Sequence, residues 1–327
     1  MYFDIEDNQL PIIYRKEYNV HFCGMEKLHP FDARKWGHVF KLLKLSEFVD
    51  ENTVTKPNEA TTEYLLLVHS KKYINSLKCS FNVAKIAEIP PLMLVPNFFV
   101  QHGYLKPMRY QTGGSILAGK LALDKGWAIN LGGGFHHCSS DKGQGFCPYA
   151  DISLLVKYLF EYKSDVVKKV MIVDLDAHQG NGHERDFMKN KKVFILDIYN
   201  KDIYPHDYEA AAGISCRIPL YSFTEDEEYL TKVQFHLDKS LKLFKPDLVV
   251  YNAGTDILKG DRLGLLSISS EGIIRRDELV FKLVRSAHIP IAMLTSGGYL
   301  KHTATIIATS ILNLYDKNLI NKPICRV

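Results

Sequence analysis

A chain of 327 residues, 46% hydrophobic and 24% charged, has the composition of an ordinary soluble fold and is long enough to bury a sizeable core without staples. Its net charge of +4 comes from 41 basic and 37 acidic residues with no long polybasic run, which excludes a phosphate-tracking groove; no direct nucleic-acid binding is expected. Six cysteines (Cys23, Cys79, Cys138, Cys147, Cys216, Cys325) form no C-x-x-C pair, which argues against a zinc ribbon or a disulfide scaffold and for a reducing compartment.

In chain order, Met1 to Leu10 carries Asp4, Glu6 and Asp7 and lacks the basic-then-apolar order of a secretory signal. A strand is predicted at Pro11–Tyr14, then helices over Phe31–Leu43 and Glu63–Leu77. The nearly apolar stretch Ile89–Val100 is cut by Pro90, Pro91, Pro96 and Asn97 and is too short to cross a bilayer, so no membrane span is expected. A helix over Gly113–Lys125, a strand at Ala128–Leu131 and a helix over Ala150–Tyr162 follow. Strands at Val170–Asp174 and Val193–Ile198 come next, with Lys168-Lys169 and Lys191-Lys192 before them as solvated charge. The pattern continues with helix Asp226–Phe244, strand Leu248–Asn252, helix Ser270–Arg285 capped by Ser269 or Ser270, strand Ile291–Thr295 and helix Thr303–Tyr315. Pro246 and Pro290 fall just past two of these helices, where a helix should stop. Short β-branched runs alternating with helical periodicity predict an α/β fold, a central and mostly parallel sheet flanked by helices. With no repeat, linker or composition break, residues 1–327 read as one domain.

Four polar clusters begin where apolar strands end: Leu131-Gly132-Gly133-Gly134-Phe135-His136-His137, Asp174-Leu175-Asp176-Ala177-His178, Ala253-Gly254-Thr255-Asp256 and Ser296-Gly297-Gly298-Tyr299. Parallel strands share one carboxyl edge, so the four should converge there. Carboxylates following a run as apolar as Val170–Val173 are costly to bury unless paired or bound to a cation. Asp176, His178 and Asp256 offer two oxygens and one imidazole nitrogen, ligand types that zinc accepts. A lone D-x-H occurs often by chance; three matched clusters beside it do not. The glycines permit positive φ and close approach, so His136 and His137 can be presented inside a cavity, and Tyr299 can offer its phenol to a developing oxyanion.

Taken together, G-G-G-F-H-H, D-L-D-A-H-Q-G-N-G, N-A-G-T-D and S-G-G-Y, in this order, resemble the zinc-dependent histone deacetylases over nearly the whole chain. Pro11–Tyr18, the segment Glu26-Lys27-Leu28-His29-Pro30-Phe31-Asp32 and Gly180–Phe187 look like class IV, the histone deacetylase 11 type. The resemblance implies an arginase/deacetylase-like fold and hydrolysis of acyl-lysine side-chain amides. It assigns one zinc ion per chain to Asp176, His178 and Asp256, makes His137 the general base with His136 as its electrostatic partner, and has Tyr299 polarise the scissile carbonyl. Asp174 matches the carboxylate that orients His136; Asn181 stands where class I members have an aspartate facing the other histidine, so class I pH behaviour should not be assumed. A structural potassium ion is implied at Asp174, Asp176, His178, Asp197 and Ile198, although Asp197 replaces the usual serine. Gly145, Phe146, Tyr204 and Leu263 fall on the acyl-lysine tunnel.

By the same resemblance the substrates are acyl-lysine proteins, histone or other, long fatty acyl groups are favoured, regulatory protein complexes are expected, and residence is nuclear or cytoplasmic. Three alternatives stand beside it. A two-manganese ureohydrolase would need a carboxylate where Gly180 stands. An acyl-polyamine amidohydrolase would use the same catalytic residues, and a silent acyl-lysine-binding scaffold would keep the tunnel without the chemistry.

Overall fold

Val170-Met171-Ile172-Val173 is apolar on both sides of its pleat, as a strand between two helical layers must be, and every residue in it is fully buried. The computed structural model of the chain describes residues 5–6, 8–21, 24, 26 and 32–321. Among these residues the strands are β1 (Leu10–Ile13), β2 (Val54–Thr55), β3 (Trp127–Asn130), β4 (Val170–Asp174), β5 (Val193–Asn200), β6 (Cys216–Leu220), β7 (Leu248–Asn252) and β8 (Ile291–Leu294). They form one eight-stranded sheet in the order β2-β1-β3-β8-β7-β4-β5-β6, with every pairing parallel.

Alternate side chains feed two cores. Met171, Val173, Val249 and Tyr251 face one side with the helices 35–45, 226–244, 270–286 and 303–316. Val170, Ile172, Leu248 and Val250 face the other, with 80–87, 106–125 and 151–162. The result is a single three-layer α/β domain of the predicted class. Among the described residues no helix is long and apolar enough to cross a membrane.

Several predicted boundaries move, each for a visible reason. The helix expected over Glu63–Leu77 is two short helices, Thr62–Leu65 and Lys71–Ser76; Thr61 Oγ1 accepts from Tyr64 N, and Ser70 Oγ from Tyr73 N, so a second cap interrupts the periodicity. The helix expected from Gly113 begins at Lys106, because Gly113 and Gly114 lie mid-helix, where any Cβ would meet the Asn58 carbonyl and the Tyr18 ring. The first predicted helix begins at Lys35; its predicted start, Phe31, lies outside the described residues, as do Lys27 to Pro30, Cys23 and Cys325. β2 and β6 were not predicted, and neither were the helices 80–87 and 181–187. Ser269 caps its helix as expected, accepting from Gly272 N at 2.9 Å.

Register does the positioning. Asn130 pairs with Leu294, Leu294 with Asn252, Asn252 with Asp174, and Asp174 with Asp197, one row across the sheet. Each polar cluster begins at or just after that row.

Candidate metal and catalytic site

The glycine turn after β3 is built by a buried anchor. Asp151, fully buried, accepts from Gly134 N at 2.8 Å and Phe135 N at 2.7 Å. Gly133 and Gly134 adopt φ of +75° and +77°, which only glycine takes without strain, and the chain then turns His136 and His137 inward, 4% and 6% exposed.

Behind His136 lies a saturated cluster. Asp174 Oδ2 accepts from His136 Nδ1 at 2.9 Å and from His183 Nε2 at 2.7 Å, while Oδ1 accepts from Asn252 Nδ2 at 2.9 Å and Asp176 N at 3.2 Å. Burial alone would raise the Asp174 carboxyl; the two histidines hold it well below the usual carboxylate range. Burial would likewise lower His136, but Asp174 and Asp176 outweigh it and push the imidazole up to about 9.

Beside it stands a second cluster of a different kind. His178 Nδ1 lies 3.1 Å from Asp176 Oδ1 and 2.9 Å from Asp256 Oδ2, so one ring nitrogen faces two buried carboxylates. The other oxygens are anchored: Asp176 Oδ2 accepts from Ser296 Oγ at 3.1 Å and Gly297 N at 3.2 Å, and Asp256 Oδ1 from Ala177 N at 2.9 Å. Burial and the charge of Asp176 push Asp256 up to about 7, while the two carboxylates carry His178, against burial, up to about 10. Three ligand atoms within 4.8 Å of one another, with two carboxylates contending for one proton, fit a divalent cation.

His137 sits between these clusters and the solvent side. Its Nδ1 donates to Asn181 Oδ1 at 2.9 Å, its ring is 4.1 Å from that of His136 and 5.0 Å from that of Tyr204, and burial with the charges of His136 and His178 keeps it well below the usual imidazole range. Tyr299 is fixed through its backbone N–H, which donates to Asp261 Oδ2 at 2.9 Å. Burial and the charges of Asp256 and Asp176 push its phenol well above the usual value, so it stays a donor.

A cavity joins these groups; its lining includes Trp36, Met108, His137, Phe146, Asp176 and Tyr299. Gly145 also lines it. Phe146 takes φ of +66°, a strained value for a side chain of that bulk. Tyr204, 42% exposed, touches the His137 ring without joining the lining. Leu263 does not line the cavity either: its N–H donates to Asp261 Oδ1, which places it behind the carboxylate that holds Tyr299. Asp197 and Ile198, expected near a potassium ion, follow Leu196 on β5; Asp197 Oδ2 accepts from Gly180 N at 2.9 Å, and burial with the neighbouring carboxyls of Asp174 and Glu184 raises its own carboxyl well above the usual range. At Gly180 itself a Cβ would collide with His183 and Asp174, so the extra carboxylate of a two-manganese site has no room.

Sequence reasoning missed the supports. His183 shares Asp174, and Asn252 donates to it. Arg276, fully buried, donates through Nη1 to Gly254 O at 2.5 Å and Leu175 O at 3.3 Å, tying together the loops that carry Asp256 and Asp176. Lys35 donates through Nζ to Ser296 O at 2.5 Å and Gly297 O at 2.8 Å, under the Tyr299 loop. No local pattern distinguishes these residues; a fully buried arginine or lysine facing backbone carbonyls is visible only in three dimensions.

A carboxylate–imidazole cluster at the carboxyl edge of a parallel sheet, beside paired histidines and a half-buried tyrosine, defines a metal-dependent amidohydrolase. Residues 29–315 match the histone deacetylase domain family. Histone deacetylase 2 of Arabidopsis thaliana is 51% identical over 320 residues, 98% of this chain and 82% of that protein. Histone deacetylase 1 of Homo sapiens is 28% identical over 286 residues, 83% of this chain and 57% of that protein. The crystal structure of the HDA15 HD domain shares the fold with a TM-score of 0.74 at 18% identity, covering 96% of this chain and 90% of its own. That of an HDAC homologue complexed with SAHA does so at 0.71 and 22%, covering 94% and 83%. The chain belongs to the histone deacetylase family, zinc-dependent hydrolases of acyl-lysine amides.

Proposed function

We propose that the chain is a zinc-dependent lysine deacylase of the class IV type that prefers long acyl groups. The observation that carries this reading is the Asp176, His178, Asp256 cluster opening on an apolar cavity that His136, His137 and Tyr299 also line. Asp176, His178 and Asp256 would hold the zinc, which when bound polarises a carbonyl and makes water more acidic. His137, neutral and with its proton on Nδ1, takes the water proton at Nε2; the oxygen adds to the acyl carbon. His136, charged and held by Asp174, stabilises the negative charge that develops beside it. The Tyr299 hydroxyl donates to the oxyanion. The carbon–nitrogen bond then breaks as His137 returns its proton to the lysine nitrogen.

The cavity's apolar walls, Trp36, Met108, Ile89 and Phe146 among them, suit a hydrocarbon chain. A potassium ion beside β5 rests on the resemblance; Asp197 there is buried close to the carboxyls of Asp174 and Glu184. The test is parallel hydrolysis of acetyl-lysine and myristoyl-lysine peptides by the zinc-loaded protein, with Asp256→Ala as control. Faster turnover of the myristoyl peptide, lost in the variant, is the expected result. Equal or reversed rates reject the long-acyl preference, and no activity on either peptide favours an acyl-polyamine substrate or a silent binder.

A further inference from the structure

Asn181, behind His137, is itself held from behind. Its Oδ1 accepts from His137 Nδ1 at 2.9 Å, and its Nδ2 donates to Asp207 Oδ2 at 3.1 Å. The two ends of an amide differ little in shape, so its orientation is decided by what stands at the far end. A carboxylate can only accept. Asp207 therefore takes the NH₂ end and leaves the oxygen end for the histidine. The reverse orientation would aim NH₂ at Nδ1, move the ring proton to Nε2 and remove the lone pair that the base needs.

Asp207 is placed firmly enough to do this. Arg185 donates through Nε to Oδ2 at 3.0 Å and through Nη2 to Oδ1 at 2.6 Å, and Ala210 N donates to Oδ1 at 3.1 Å. The backbone N–H of Asp207 donates to Gln179 Oε1 at 3.2 Å, and its carbonyl accepts from Gln179 Nε2 at 2.9 Å. Burial would raise its carboxyl, but the bonds from Asn181, Ala210 and Arg185 hold it below the usual range. We infer that Asp207 is a positioning residue for hydrolysis: through Asn181 it fixes the His137 tautomer, putting the orienting charge one amide away from the imidazole.

The inference rests on His137 as the base, and two readouts keep the claims apart. Turnover by His137→Ala reports on the base whatever its tautomer, and ring ¹⁵N shifts of His137, assigned as the signals missing from His137→Gln, report the tautomer whether or not it is the base. In the zinc-loaded protein, Asp207→Ala is expected to lower kcat by roughly tenfold or more with KM little changed, and to shift the His137 signals away from the Nδ1–H form. Adding Asn181→Asp, which places an acceptor directly behind Nδ1, is expected to restore the double variant to the level of Asn181→Asp alone. Unchanged kcat or an unchanged Nδ1–H signature in Asp207→Ala overturns the inference. An equal loss in the Asn181→Asp background marks a merely structural effect and overturns it as well.

Discussion

Two buried clusters of histidine and aspartate lie side by side at the sheet edge, and each could hold a metal by proximity alone: His136, Asp174 and His183 in one, Asp176, His178 and Asp256 in the other. They differ in how their charge is met. Asp174 receives four hydrogen bonds from protein donors, two of them from imidazoles, and is complete. Asp176 and Asp256 place two carboxylates around one imidazole nitrogen, and burial with the charge of Asp176 leaves Asp256 near 7 despite its bonds from His178 and Ala177 N. A saturated cluster orients; an unsaturated one recruits a cation. The second also opens on the cavity through Asp176, where a substrate could reach it.

The largest expected effect breaks the second cluster. Asp256→Ala removes a ligand and should cost on the order of 10³-fold or more in turnover, with zinc lost on dialysis by elemental analysis. Retained zinc at one per chain would reassign the metal. Next is Tyr299→Phe, which keeps the metal and the ring packing against Phe146 but loses the hydroxyl. About 10²-fold lower kcat at full zinc content is expected, by analogy with other oxyanion donors; full activity on an acyl-lysine peptide would remove Tyr299 from the chemistry. Breaking the saturated cluster should matter less: Asp174→Asn is expected to cost about 10- to 100-fold in metal affinity or activity, the usual range for a group that orients ligands from behind. If Asp174→Asn lost its zinc while Asp256→Ala kept it, the roles of the two clusters would be exchanged.

How much of this contrast was legible before the structure depends on range. β4 and β7 were readable to the residue because continuous apolar runs end on a polar one, and the same feature flagged Asp174 and Asp256. β2 has two residues and no pattern to read, and β6 is an edge strand, alternately exposed and carrying Pro219, which a central strand would not tolerate. His183 and Arg276 were invisible because the site groups they hold, Asp174 and the Gly254 carbonyl, lie 9 and 22 residues away and meet them only once the strands are in register. Leu263, expected on the tunnel, is absent from the cavity lining, and its N–H is held by Asp261 Oδ1.

A buried histidine outside both clusters isolates the rule that separates them, since it has a carbonyl where His136 has a carboxylate. His69 is 2% exposed; its Nδ1 donates to Ser140 O at 3.0 Å, and its Nε2 accepts from Ala150 N at 3.1 Å. Both ring nitrogens are satisfied in the neutral form, and burial pushes the imidazole down to about 4 against the pull of Ser140 O and Asp141, whereas Asp174 carries His136 up to about 9. Above the ordinary value of 6.5 His69 is neutral in both the folded and unfolded chain and costs nothing. As pH falls below it, the unfolded chain binds a proton that the folded one refuses, so stability is lost, and the loss levels off once the folded group titrates near 4. The full difference is about 3 kcal/mol, of which about 2 kcal/mol is lost by pH 5. His69→Gln retains a donor and an acceptor but cannot charge. The stability advantage of the unsubstituted protein over this variant, measured by urea unfolding of zinc-loaded protein, should therefore shrink by about 2 kcal/mol between pH 7 and pH 5, with the metal-site carboxylates common to both. Parallel pH curves would mean that His69 stays protonatable when folded, and that carbonyl against carboxylate is not what divides the buried histidines.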